Sequence, residues 1–194
     1  KARLLAGEPP VDLLAFTHLH PDHFSRRETE TYLARNRVRG VLLPEDGGPL
    51  AGPVRRMTGV RGTWESLPGV RITWVSSGHI GPQYAETAHF CLLAELSGMG
   101  VLVTGDADPE RGEPTWQELG WARPDAVLVN PLFYQSPRGG PYCGRCCGRS
   151  GWFYTISPAR TATLGDCAGW SGGSWSGAGT SPTTCPPCGS LWTV

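Results

Sequence analysis

The chain predicts a layered α/β sandwich, and three observations predict it. Short apolar runs of strand length recur between residues 11 and 130. Segments with helix-start signals separate several of them, and one pair of runs is joined by a tight-turn sequence. Val11–Thr17 is a mostly apolar buried strand. Ser25-Arg26-Arg27-Glu28 has capping-box spacing and opens a helix to about Arg35, with Tyr32 and Leu33 turned inward. Val41–Leu43 is a second strand, Pro44–Gly52 a loop, and Val54–Met57 a short helical turn. Val70–Val75 alternates with period two, as a half-buried strand does. Phe90–Leu96 and Val101–Thr104 form a hairpin around Ser97-Gly98-Met99-Gly100. Asp108-Pro109-Glu110 opens a helix to about Leu119, and Ala126–Val129 is the last strand of the pattern.

At 194 residues the chain is long enough for one domain with a real core. Its formal net charge of zero gives no sign of a nucleic-acid partner or an anionic membrane surface. No apolar run approaches the roughly 20 residues of a membrane span. No signal peptide is visible, and the chain opens at Lys1, so it is expected to be a fragment or to have lost its first residues. The expected setting is cytoplasmic and the expected partner a small-molecule substrate. Composition changes along the chain. Of the seven cysteines only Cys91 precedes residue 140, and from Tyr142 onward the only charged side chains are Arg145, Arg149, Arg160 and Asp166. The chain therefore divides at about residue 137 into an ordinary α/β part, 1–137, and an irregular tail rich in Cys, Gly and Trp, 138–194.

The chemistry concentrates in Thr17-His18-Leu19-His20-Pro21-Asp22-His23. Three imidazoles and a carboxylate within six residues suit borderline cations such as zinc. Extended spacing sends His18 and His20 to one side, and Pro21 then bends the chain so that Asp22 and His23 face a second cation. The bland alternative is a His-rich surface turn, but a strand leads in and a capped helix leads out. Two later strand ends carry further donors. Ser77-Gly78-His79 ends one strand and Thr104-Gly105-Asp106 another, and loops at strand ends are held by a rigid sheet. Asp106 could be a mere helix cap, although Asp108 is better placed for that. His89 competes with His79 for the ligand role, and its place at a strand start favours packing.

These motifs, in this order and spacing, resemble the metallo-β-lactamase superfamily over about Val11 to Ser136, and most closely its L-ascorbate-6-phosphate lactonase-like branch. The resemblance implies a four-layer αββα sandwich and two divalent metal ions, zinc, manganese or iron. It implies that His18, His20 and His79 hold one ion, that Asp22 and His23 hold the second, and that Asp106 bridges them. It also implies a hydrolase whose metal-activated water attacks an ester, lactone, amide or phosphodiester, with Asp22 orienting that water.

The resemblance fails at both ends. Only Lys1–Pro10 precede the first strand, so the first sheet is expected to lack strands. No His follows His89, so the family's last ligand is missing and the chain as written should hydrolyse little or nothing. An out-of-frame tail would explain this. Codons built from the third base of one residue and the first two of the next force Leu from Tyr142-Cys143, Cys146-Cys147 and Phe153-Tyr154, and Val from Trp152-Phe153. Permitted choices elsewhere turn Tyr142–Thr163 into LRALLRAVGVVLYHIPCEDRY, a helix, a strand and a loop with a His. On that reading the tail as written is disordered, having little regular apolar surface to offset its ordering entropy. The rival reading is a metal-binding module. Its zinc ribbon, built on Cys143-x-x-Cys146 and Cys185-x-x-Cys188, would contact nucleic acid or protein without catalysis. Cys185-Pro186-Pro187-Cys188 also has the spacing of a redox pair, without a thioredoxin-like context.

Overall fold

Two sheets form the frame. In the computed structural model residues 10–111, 124–146, 152–156 and 162–166 are described. The first sheet has the order β1 (Leu13–Ala15), β2 (Gly40–Pro44), β3 (Val54–Met57), all parallel. The second runs β10 (Ala162–Asp166), β9 (Trp152–Ile156), β8 (Ala126–Val129), β7 (Met99–Val103), β6 (Phe90–Leu96), β5 (Val70–Ser76), β4 (Arg61–Leu67). Strands β4 to β7 form an antiparallel meander, β8 joins β7 in parallel, β9 joins β8 in parallel, and β10 turns back on β9. Among the described residues the α-helices are α1 (Arg26–Arg35), α2 (Pro131–Gln135) and α3 (Gly139–Cys146). Parallel β1 and β2 need a crossover, and α1 supplies it. Ser25 caps α1 as its spacing predicts, its hydroxyl accepting from the Glu28 N–H.

Strand periodicity sorts side chains into three apolar layers. Leu42 and Met57 of the first sheet pack on Ile72, Trp74, Phe90 and Leu92 of the second, with Leu13 and Trp64 at the margin. Val41 and Leu14, one residue out of phase on the same strands, face Tyr32 and Leu33 of α1. Val75, Cys91, Leu93, Leu102, Val127 and Val129 line the far face of the second sheet and pack on Phe133 of α2 and Tyr142 and Cys143 of α3. The result is helix, sheet, sheet, helix: the expected αββα layering follows from which residue of each pair faces which way. Gly40 on β2 permits the sheets to approach, since a Cβ there would lie 2.2 Å from the Trp64 ring.

Two local expectations need correction. Val54–Met57 is a strand, not a helical turn, because pairing with Val41–Pro44 fixes it in extended form. Strand β4 was not anticipated, although Gly62 and Trp64 alternate with exposed Arg61, Thr63 and Glu65. The Phe90–Leu96 hairpin turns at Ser97-Gly98, both at positive φ, and Met99 and Gly100 already belong to β7. Of the helix expected from Asp108 to Leu119, residues 112–119 lie outside the described residues. The boundary expected at residue 137 falls between α2 and α3, and regular structure continues past it through α3, β9 and β10. The rest of the expected tail, with Cys185 and Cys188, lies outside the described residues. Among the described residues no helix is long and apolar enough to cross a membrane.

Candidate metal centre

Three strand ends converge at one edge of the sandwich. Beyond β1 the chain stays extended, with Phe16 N–H bonded to Leu42 O and Thr17 O accepting from Phe90 N–H at 2.9 Å. It then turns sharply at Pro21, where the His23 and Phe24 amides both return to His20 O at 2.9 and 2.8 Å. The segment after β5 brings in His79, and the turn after β7 brings in Asp106. Those two are stitched together by Ile80 N–H to Asp106 O and Asp108 N–H to Gly78 O, both 2.8 Å, and by the bridge between His79 and Ala107. Gly105 makes the second turn possible: its φ is +54°, and a Cβ there would lie 2.6 Å from Thr17 Oγ1 and 2.9 Å from His89 Nε2.

The donors meet around one carboxylate oxygen. Asp106 Oδ2 lies 3.2 Å from His23 Nε2, 3.7 Å from His18 Nε2 and 3.8 Å from His79 Nε2. Ligand atoms of His18, His20 and His79 lie within 4.8 Å of one another, and so do those of His18, His23 and Asp106. Asp22 belongs to neither group. Its carboxylate is 76% exposed, with Oδ2 3.6 Å from His23 Nε2, at the rim of an open cleft of about 400 Å³ floored by His20, His79 and Asp106.

The donor set fits a cation. His18 Nε2 and His79 Nε2 are buried nitrogens with no hydrogen-bond partner, a costly arrangement for which a metal ion is the natural remedy. Their other nitrogens are anchored. His79 Nδ1–H donates to Ile80 O at 2.7 Å, and His18 Nδ1 sits 3.0 Å from Thr17 Oγ1. Anchoring one ring nitrogen in this way leaves the other as a lone-pair donor. Thr87 Oγ1 lies 3.3 Å from His20 Nε2. Burial, then the neighbouring His23, push His18 down to about 4, so it stays neutral near pH 7, as a metal-binding imidazole must be. The hydrogen bond to Asp106 raises His23 against the effect of burial. Burial opposes the Asp106 carboxylate, but hydrogen bonds from His23 and Asn130 outweigh it and hold the group well below the usual range.

His79 and His89 are separated by their partners. His89 is 1% exposed and both of its nitrogens are engaged: Nε2 accepts the Asp106 backbone N–H at 3.0 Å, and Nδ1 lies 2.7 Å from Ser77 Oγ. It stands behind the ligand group. Asp108 Oδ1 accepts from Glu110 N–H at 2.9 Å, while the Asp106 carboxylate faces the histidines. Two neighbours of the centre were not singled out from sequence. Asn130, at the end of β8, donates to Asp106 Oδ1 at 2.6 Å. Tyr84 lies against the His20 and His79 rings, with centroids 4.6 and 4.9 Å away. An Asn-Pro helix start following a strand next to the Asp106 strand was the available signal for Asn130; Tyr84 offered none.

No protein-family model matches the chain, and no curated protein matches it. Among solved structures it is similar to a mutant of the CmlA beta-hydroxylase, at 17% identity over 61% of this chain and 26% of that one, with a TM-score of 0.48. It is similar to Igni18, a metallo hydrolase from the archaeon Ignicoccus hospitalis, at 17% identity over 61% of this chain and 51% of that one, TM-score 0.45. A protein from Parabacteroides distasonis described as a metal-dependent hydrolase is 16% identical over 78% of each chain, TM-score 0.48. The chain thus spans about half the length, or less, of the first two.

Proposed function

We propose that this chain is the metal-holding part of a metallo-β-lactamase-type hydrolase. The observation that carries the reading is the pair of buried, unpartnered nitrogens, His18 Nε2 and His79 Nε2, facing Asp106 Oδ2. His18, His20 and His79 would hold one divalent ion; His23, Asp22 and Asp106 would serve a second, with Asp106 shared. Bound there, divalent ions would supply a water acidic enough to serve as a nucleophile near neutral pH and would polarise the bond to be broken. The protein's own part is to orient the reactants. Asp22 at the rim would accept a hydrogen bond from that water, and the cleft beside Tyr84 and Asn130 would receive an ester, lactone, amide or phosphodiester.

Zinc, manganese and iron all suit imidazole and carboxylate ligands, and the lactonase-like branch rests on motif order alone. The cytoplasmic setting is supported by Cys91, a buried thiol in no disulfide. An out-of-frame tail rests on the codon arithmetic alone, and the regular elements α3 and β9 formed by the written residues do not add to it. Sequencing the encoding DNA decides it. Burial of Cys143 in the core of the second sheet disfavours a zinc ribbon.

The test is metal counting on the full chain. One tightly held ion per chain is expected, a second only in excess metal, and neither in a His18→Ala/His79→Ala double variant. A folded wild-type chain that retains no ion through dialysis would overturn the reading. Hydrolysis of lactone and phosphodiester panels should be slow or nil; fast turnover abolished by His20→Ala would show that the missing last ligand does not matter.

A further inference from the structure

We propose that His89 is a positioning residue that locks the three ligand-bearing segments together without itself binding metal. The inference rests on the metal-centre reading and concerns a residue outside the ligand set.

Residue 89 touches every segment that carries a ligand. Its carbonyl accepts the Ser77 N–H at 2.9 Å, two residues before His79. Its Nδ1 lies 2.7 Å from Ser77 Oγ, a hydroxyl that Cys91 Sγ also approaches, at 3.5 Å. Its Nε2 takes the backbone N–H of Asp106 at 3.0 Å. The next amide, Phe90 N–H, donates to Thr17 O beside His18, and the His89 ring lies 5.0 Å from the His18 ring and 5.5 Å from the His79 ring.

Chemistry fixes the tautomer. A backbone N–H can only donate, so Nε2 must be the bare nitrogen and Nδ1 carries the proton toward Ser77. That spends the one lone pair through which the ring could bind a metal. A ring of the same volume without nitrogens would leave the part-buried Asp106 amide without this partner, and the Gly105 turn would lose the contact that holds it. Positioning groups of this kind typically change metal affinity by about 10- to 100-fold when removed.

Two measurements test this on the full-length chain. Long-range proton–nitrogen NMR of the metal-free protein should show His89 as the neutral Nδ1–H tautomer, unchanged after cadmium is added. An Nε2–H tautomer, or coupling between the His89 nitrogen and cadmium, would overturn the proposal. This arm needs no variant and holds whether or not the metal-centre reading survives. Second, His89→Phe and His89→Gln are compared by chelator competition and by the visible spectrum of the cobalt(II) form. His89→Phe should bind about 10- to 100-fold more weakly with a shifted spectrum, and His89→Gln, which keeps an acceptor and a donor, should recover most of the affinity. Wild-type affinity and spectrum in His89→Phe would sink the idea. A wild-type chain that binds no metal would instead remove the metal-centre reading, leaving the tautomer to decide the role of His89.

Discussion

Asn130 donates its side-chain amide to Asp106 Oδ1 at 2.6 Å, and this single bond divides the carboxylate in two. One oxygen is held by protein; the other, Oδ2, is left to His23 at 3.2 Å and to the buried nitrogens of His18 and His79. Asn130 can do this because β8 lies parallel to β7, so both strands end at the same edge. Its own carbonyl meanwhile caps α2, accepting from Leu132 N–H at 2.8 Å.

Those two roles separate in one substitution. Asn130→Asp keeps the capping oxygen but replaces the donor with a second carboxylate facing Asp106. The cap survives, but stability without metal should also fall, since the two carboxylates repel unless one takes up a proton. Metal affinity should drop about tenfold or more, as it does when a partner of a ligand is lost. Parallel urea unfolding and chelator competition would check this. Wild-type metal affinity would show that Asn130 acts only as a cap.

Gly105→Ala should be among the most damaging single changes near the centre. The backbone there is in the left-handed region, and the added methyl group would press on Thr17 Oγ1 and His89 Nε2. A loss of about 1–3 kcal/mol is expected from the backbone alone, with further cost from the contacts. Urea unfolding measures it. The control is Gly59→Ala, also at positive φ but with nothing within 4 Å of the new methyl, which should cost less and leave metal binding intact.

What sequence could and could not reveal follows from how local each feature is. The His18–His23 loop was legible because four donors lie within six residues, and α1 because its cap and its Glu28 share one turn. Strand β3 was misread because Val54 and Met57 are three apart, a helical interval; only its register with β2 makes it extended. Strand β4 went unread because glycine and charged residues dilute its alternation. His79 and His89 could not be separated by spacing, since the difference lies in which hydrogen bonds each ring makes with distant residues. The link from Asn130 to Asp106 spans 24 residues and exists only once two parallel strands are side by side.

Cys91 should resist modification in the folded chain. It is fully buried beneath the centre, and burial pushes its thiol up to about 12, against a smaller effect of the Ser77 hydroxyl. At pH 8 the reactive thiolate is then on the order of one part in ten thousand. Iodoacetamide labelling followed by peptide mass spectrometry should leave the Cys91 peptide unmodified under native conditions and label it fully in guanidinium. Native labelling at the rate of a free thiol would show that this part of the core opens.

The metal-free chain should lose stability on acidification between about pH 6.5 and 4, for reasons of proton balance. His18 is lowered from 6.5 to about 4 and His89 is lowered well below 6.5, in each case chiefly by burial. Both stay neutral when folded and gain protons on unfolding in that window, so their contribution is complete above 6.5 and lost as pH falls. His23 works the other way: raised by its bond to Asp106, it contributes below 6.5 and loses that contribution as pH rises through its folded value. Asp106, held below 3.8, adds a term that disappears only in stronger acid. Two imidazoles against one leave a net uptake of protons on unfolding, so the urea midpoint in EDTA should fall steadily from pH 7 to 5. A metal ion held by His23 would require that ring neutral, so on the proposed reading stabilisation by added zinc should be larger at pH 7.5 than at 5.5. A midpoint that is flat or rises toward pH 5 would mean that His18 and His89 are not held neutral in the fold.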